Sequence, residues 1–264
     1  MARQKLGWAL AFCVVVLKPL LTMLTRRDWR DTDKLPSTGG CVLVANHVSH
    51  VDPLTYAHFV YDSGRLPRYL AKAEVMDLPV LGAILKSAGQ IPVYRQSRTA
   101  SEAFRAAVAA IEKGECVVVY PEGTITRDPN LWPMVGKTGA ARIALSTGAP
   151  VIPTAQWGPQ RLLAPYAKKP SLFPRKLMQV RVGDPVELDD LRDQPPTPMV
   201  LREATDRIMA AITVLLGETR GEVAPTERFD PAAMHMPRTG NPNRGVKKES
   251  RRHVLRRNRG KGTG

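Results

Sequence analysis

Between Gly39 and about Gly217 the chain alternates short, continuous apolar runs with stretches of helical spacing. No other feature narrows the possible folds as much. The run CVLVA, Cys41–Ala45, has no polar alternation, so it suits a strand covered on both faces. Asp52-Pro53 reads as an N-cap followed by proline at the first helical position, opening a helix through about Val60. Arg68–Ala73 is a second strand. Leu78–Ala88 has helical spacing and stops before Gly89. Gln90–Tyr94 is a third strand, and Pro92 makes it irregular or places it near an edge. Thr99–Lys113 is an amphipathic helix with Phe104, Val108 and Ile111 on its apolar face, closed by Gly114. Cys116–Tyr120 is the strongest strand. Lys137–Thr147 is a helix, Val151–Ala155 and Gln179–Val182 are strands, and Pro198–Leu216 is the last helix. This rhythm predicts an α/β fold with a mainly parallel central sheet covered by helices. In such sheets ligands bind in the loops beyond the strand ends.

The two ends differ from this middle. Leu6 to Leu24 reads LGWALAFCVVVLKPLLTML, with Arg3 and Lys5 before it and Arg26, Arg27 and Arg30 after it. No small-residue cleavage site follows, which argues against a signal peptide. Pro19 should kink a spanning helix, and basic residues on both flanks pick no orientation. The reading that fits is a membrane-associated helical segment over residues 1–30. It would be two short pieces dipping into one leaflet, with Lys18 near the bend and both flanks on the cytoplasmic side. At the other end, residues 238–264 hold ten Lys/Arg against one acid, Glu249. They account for +9 of the formal +15. With few large apolar side chains, residues 221–264 read as a basic, disordered tail. That leaves residues 31–220 as the α/β domain. The excess charge implies an anionic partner. Membrane lipid fits better than nucleic acid, because no aromatics interleave with the tail's charges to stack on bases. Cys13, Cys41 and Cys116 lack C-x-x-C spacing, so a reducing compartment is expected.

Three loops carry candidate chemistry. Asn46 to Asp52, NHVSHVD, sets His47 and Asp52 five positions apart across a turn. An imidazole held by a carboxylate is a general-base pair; equally, Asp52 would merely cap its helix, with His47, Ser49 and His50 as loop residues. Tyr120 to Asn130, YPEGTITRDPN, offers Glu122, Gly123 and Thr124 at a strand end, which alone is simply a turn. Gly89 to Arg95 ends in a guanidinium suited to phosphate. A G-x-S-x-G elbow, an H-E-x-x-H pair and a helix-opening G-x-G-x-x-G are all missing from the sequence. Gly136-Lys137-Thr138 is not a P-loop end, because the required glycine falls on Leu131.

Taken together, these loops resemble the lysophosphatidic acid acyltransferase family of the glycerolipid acyltransferases. The H-x4-D motif is His47 through Asp52. A G-x-I-x-x-x-R motif is matched by Gly89, Ile91 and Arg95. A motif like F-P-E-G-T-R-S is matched by Tyr120-Pro121-Glu122-Gly123-Thr124, and an apolar strand with proline by Val151-Ile152-Pro153. Lys137-x-Gly139 also resembles the family. The motifs keep the family's order over roughly residues 35 to 217. Two departures bear on the acceptor. Ile125 stands where the family usually has arginine, with Arg127 two positions later, and Pro92 lies inside the second motif.

The resemblance implies transfer of a fatty acyl group from a thioester to the sn-2 hydroxyl of lysophosphatidic acid, giving phosphatidic acid in phospholipid biosynthesis. Glycerol 3-phosphate, another lysophospholipid or a glycolipid are alternative acceptors, and a non-catalytic basic membrane or nucleic-acid adaptor is the remote alternative. His47 and Asp52 are the implied catalytic pair. Arg95, Glu122, Gly123, Thr124, Arg127 and Lys137 are the implied substrate-binding residues. No metal or redox cofactor is implied, since acyl-CoA or acyl carrier protein enters as the co-substrate thioester. The expected partners are a lysophospholipid, an acyl thioester, an anionic membrane surface and, as one donor, acyl carrier protein. The expected location is the membrane, with the catalytic domain facing the cytoplasm.

Overall fold

The computed structural model describes residues 7–93, 97–236 and 241. The chain divides into two units, residues 1–229 and 230–264. The first begins with α1 (Trp8–Phe12), a wide turn of π geometry over Cys13–Leu17, and α2 (Lys18–Leu24). Next come β1 (Thr25–Arg30), a short 3-10 turn at Thr32–Lys34, β2 (Cys41–Ala45) and α3 (Asp52–Asp62). They are followed by β3 (Pro67–Lys72), α4 (Ala73–Met76), α5 (Pro79–Ser87), β4 (Ile91–Val93), α6 (Ser97–Glu112) and β5 (Cys116–Val119). The rest is α7 (Gly139–Thr147), β6 (Val151–Trp157), α8 (Pro159–Leu162), β7 (Lys176–Val182), α9 (Asp189–Arg192) and α10 (Pro198–Arg220).

The sheet has seven strands in the order β1-β7-β6-β2-β5-β3-β4. All neighbours pair in parallel except β6 and β7, which are antiparallel. The mainly parallel α/β expectation therefore holds. β2 and β5 lie in register, Cys41 beside Cys116 and Val44 beside Val119, and every residue of both is buried. Their alternation sorts two cores. Val42, Val44, Val117 and Val119 face the layer holding α6, α7 and α10. Cys41, Leu43, Cys116 and Val118 face Tyr56, Phe59 and Val60 of α3. Each large apolar side chain fully withdrawn from water contributes about 1.5–3 kcal/mol, before the entropy of ordering is subtracted. Pro153 is tolerated inside β6 because the antiparallel pairing with β7 begins one residue later, at Thr154. β4, with Pro92, is an edge strand as expected.

Two expectations about the N-terminal region are corrected. The apolar segment is two short helices, but their joint is the π turn at Cys13–Leu17, upstream of Pro19. Pro19 sits in the first turn of α2, directly after the π turn. Lys18 directly follows that turn, and its ammonium meets Asp62 at 2.7 Å. The arginines after the segment are not simply a basic flank. Thr25–Arg30 is strand β1, paired with β7. Arg27 donates to Asp62 at 3.0 Å, and Arg30 donates to Asp28. Trp8, Phe12, Val15, Leu20 and Met23 form an exposed apolar stripe at helical spacing. No helix among the described residues is long and apolar enough to cross a membrane.

In the second unit, Asp230–Met236 forms tight turns, with the Asp230 carboxylate accepting from Ala232 N. Most of the basic tail lies outside the described residues.

Candidate active site

The strand order places β6, β2 and β5 side by side. Because they run parallel, the chain leaves all three at the same sheet end, and the loops after Ala45, Val119 and Trp157 meet there. Asn46 begins the first loop. Its amide donates to Gln156 O at 3.0 Å and its carbonyl accepts from Gln156 N at 2.8 Å, while Gln156 Nε2 donates to Asn46 O at 2.7 Å. Three buried bonds thus lock the residue before His47 to β6. Sequence reasoning passed over this clamp. Its signals were a polar residue directly after an apolar strand and a glutamine inside VIPTAQW.

His47 is held through both its main chain and its ring. Its main-chain N–H donates to Glu122 Oε1 at 2.9 Å, and its carbonyl accepts from Thr126 N at 2.8 Å. Its ring stacks on Tyr120 with centroids 4.4 Å apart. Its Nδ1 lies 2.7 Å from Asp52 Oδ2. A carboxylate only accepts hydrogen bonds, so this contact assigns the proton to Nδ1 and leaves Nε2 with a lone pair. Burial pushes the Tyr120 phenol well above its usual range, so the ring against His47 stays neutral.

Asp52 is fully buried. It was expected to cap α3, but it is the first residue of that helix, and its carboxylate turns back into the preceding loop. Besides His47, Oδ2 accepts from Val48 N at 2.6 Å and Ser49 N at 2.9 Å. The short loop between histidine and aspartate is wrapped around the carboxylate, which fixes the pair's geometry. The two side chains thus lie in hydrogen-bond contact, the arrangement that a general-base pair needs.

Glu122 is also buried, 3% exposed. Its second oxygen, Oε2, accepts from Met134 N at 3.1 Å. Both oxygens thus accept from main-chain donors, one of them that of His47, so the side chain braces the start of the His47 loop. Burial, above all, raises its carboxyl from 4.5 to about 8. The folded state then binds the proton more tightly than the unfolded chain. The stabilisation from the neutral acid is complete below 4.5 and is lost as pH rises through about 8. The expected result is that Glu122→Gln flattens this loss in thermal melts taken across that range. It also lowers stability by about 1–3 kcal/mol at acid pH, because an amide offers one acceptor to two N–H groups.

Gly123 has φ +66°, and a Cβ there would lie 2.6 Å from Lys137 Nζ. The glycine therefore serves both the turn and the close passage of the lysine. Lys137 N donates to Pro121 O at 2.8 Å, and Lys137 itself is exposed. Thr124 is half-buried beside them. Ile125 and Arg127 are buried, and Arg127 N packs on Met134 Sδ. The structure thus brings His47, Asp52, Glu122, Gly123 and Lys137 together. Arg95 lies outside the described residues.

A nearly apolar cavity of about 160 Å³ lies between the N-terminal helices, α3, β3 and α5. Leu10, Val14, Leu17, Leu54, Tyr69 and Ile84 are among its walls. Tyr69 stacks on Tyr120 at 6.2 Å between centroids, and Tyr120 stacks on His47. Tyr69 and Tyr120 thus link the cavity wall to the His47 ring.

A family model described as Acyltransferase matches residues 26–157. A 1-acyl-sn-glycerol-3-phosphate acyltransferase of Bacillus subtilis is 28% identical over 70% of this chain and 85% of its own length. The chloroplastic 1-acyl-sn-glycerol-3-phosphate acyltransferase BAT2 of Brassica napus is 30% identical over 52% of this chain. The match spans only 39% of that relative's length. Among solved structures, the 1-acyl-sn-glycerophosphate acyltransferase PlsC of Thermotoga maritima shares the fold, with a TM-score of 0.58 at 20% identity. That likeness covers 79% of this chain and 78% of the other.

Proposed function

This chain belongs to the Acyltransferase family, and from that premise we propose that it transfers a fatty acyl group from an acyl thioester to the sn-2 hydroxyl of lysophosphatidic acid, giving phosphatidic acid. The observation that carries the reading is the buried Asp52 carboxylate 2.7 Å from His47 Nδ1, which leaves Nε2 as the base. The names of the Bacillus and Brassica relatives support the acceptor.

In this mechanism Nε2 of His47 takes the proton of the acceptor hydroxyl. That oxygen attacks the thioester carbonyl, the C–O bond forms, and the C–S bond breaks. The proton then leaves from His47 toward the departing thiolate. Asp52 stabilises the imidazolium between these steps. Tyr120 and the Glu122 bond to His47 N keep the ring from turning away. Fixing both reactants in this way supplies several kcal/mol of barrier reduction. Lys137, whose ammonium passes beside Gly123, serves the acceptor's phosphate, together with Arg95. Buried Ile125 contributes no charge where the family usually has arginine. The acyl chain enters the apolar cavity under Tyr69, beside the N-terminal helices. The exposed stripe of those helices supports association with a membrane surface, where both lipids reside.

The test is direct. Incubation with lysophosphatidic acid and a labelled acyl-CoA yields phosphatidic acid labelled at sn-2. Labelled product from glycerol 3-phosphate alone would move the acceptor assignment to that alternative. Arg95→Ala is expected to raise the acceptor KM about tenfold or more with kcat little changed, in steady-state assays varying lysophosphatidic acid.

A further inference from the structure

Residues 129–183 contain no Asp or Glu, against eight Lys/Arg. Within this stretch the connection from α8 to β7, residues 163–175, touches both the site and the N-terminal helices. Near its start, Leu163 O accepts from Ser49 Oγ at 2.6 Å, and Tyr166 Oη donates to Ile125 O at 3.1 Å. Those bonds tie it to the His47 and Glu122 loops. At its end, Arg175 donates to Thr22 O and Thr25 O, both at 2.7 Å, where α2 runs into β1. Between these anchors Phe173 is 72% exposed and Leu172 39%. Lys168 and Lys169 are exposed a few residues earlier. An exposed phenylalanine and leucine, flanked by cations and anchored beside the apolar stripe that includes Leu20 and Met23, have the chemistry of an interfacial anchor.

We propose that the 163–175 connection is a second lipid-docking element, in which Leu172 and Phe173 enter the acyl boundary of an anionic leaflet and Lys168 and Lys169 meet its headgroups. The inference rests on the acyltransferase reading, because it gives the lipid surface as the occupant. Charge complementarity adds to that, since the segment offers only positive groups to its partner. Its anchors make the element a strap: the surface that receives Phe173 also fixes the position of the loops carrying His47 and Ile125. Docking then presents the site mouth to the leaflet from which the lysophospholipid comes.

The experiment is flotation of the full chain with vesicles of phosphatidylcholine, with and without phosphatidylglycerol. It compares wild type with the double variants Leu172→Ser/Phe173→Ser and Lys168→Glu/Lys169→Glu. The apolar pair is expected to lower partitioning about tenfold on both vesicle types. The charge pair is expected to lower it about tenfold on phosphatidylglycerol vesicles only. Both variants keep wild-type turnover on detergent-dispersed substrates, which also shows that they fold. Wild-type partitioning by both variants overturns the proposal, and so does loss of detergent turnover, which would make the segment structural. If wild type itself transfers no acyl group in detergent, the acyltransferase reading fails, while the flotation result still decides the docking.

Discussion

His47→Ala lowers acyl transfer by about 10²–10⁴-fold, the range that a lost general base commonly costs, and the protein still folds. The two halves of that expectation have separate physical grounds. The loss follows because Nε2 is the only ring nitrogen left to accept a proton once Nδ1 is committed to Asp52. Folding survives because the residue's structural bonds, to Glu122 and from Thr126, belong to its main chain. Asp52 keeps its bonds from Val48 N and Ser49 N, so its charge is not stranded. Single-turnover transfer and a thermal melt on the same preparation check both halves. Near-wild-type turnover in the variant would overturn the general-base assignment.

Asp52→Asn separates charge from shape. The side-chain oxygen must stay where Oδ2 is, because an NH2 group there would face the N–H groups of Val48 and Ser49. That oxygen can still accept from His47 Nδ1, so the ring orientation and tautomer persist. What is lost is the negative charge that stabilises the imidazolium. kcat is expected to fall about 10²–10³-fold with the acceptor KM nearly unchanged, since the group acts on the reacting proton and not on the phosphate. Steady-state kinetics with lysophosphatidic acid as the varied substrate read this split. A variant with unchanged kcat would reduce Asp52 to a loop fastener.

How legible the site was in the sequence varied with the residue. His47 and Asp52 stand five positions apart, so a local turn can join them, and the motif exposes that. Glu122 was legible as important but not for its role. Its oxygens are spoken for by His47 N and Met134 N, and main-chain donors leave no mark in a sequence. The side chain read as bordering a phosphate is thus bonded to the main chain at His47. The Asn46–Gln156 clamp spans 110 residues: a polar residue after an apolar strand and a glutamine inside VIPTAQW are visible in the sequence, but their pairing is not.

The fold divides in the same way. β2 and β5 were legible because a strand buried on both faces must be apolar throughout. β1 was not, because TRRDWR is an edge strand whose charges reach water or Asp62 and Asp28. Its pairing is supplied by β7, about 150 residues away. The amino-acid order alone thus determined the α/β rhythm, the His–Asp pair and the acidic and glycine residues of the second loop. All of these depend on periodicity or short-range spacing, which are local properties. Tertiary structure decided which three strand ends meet, which arginines are spent within the fold, and that Glu122 is sealed from solvent. Those outcomes depend on strand order and burial, and both are set by contacts between residues far apart in the chain.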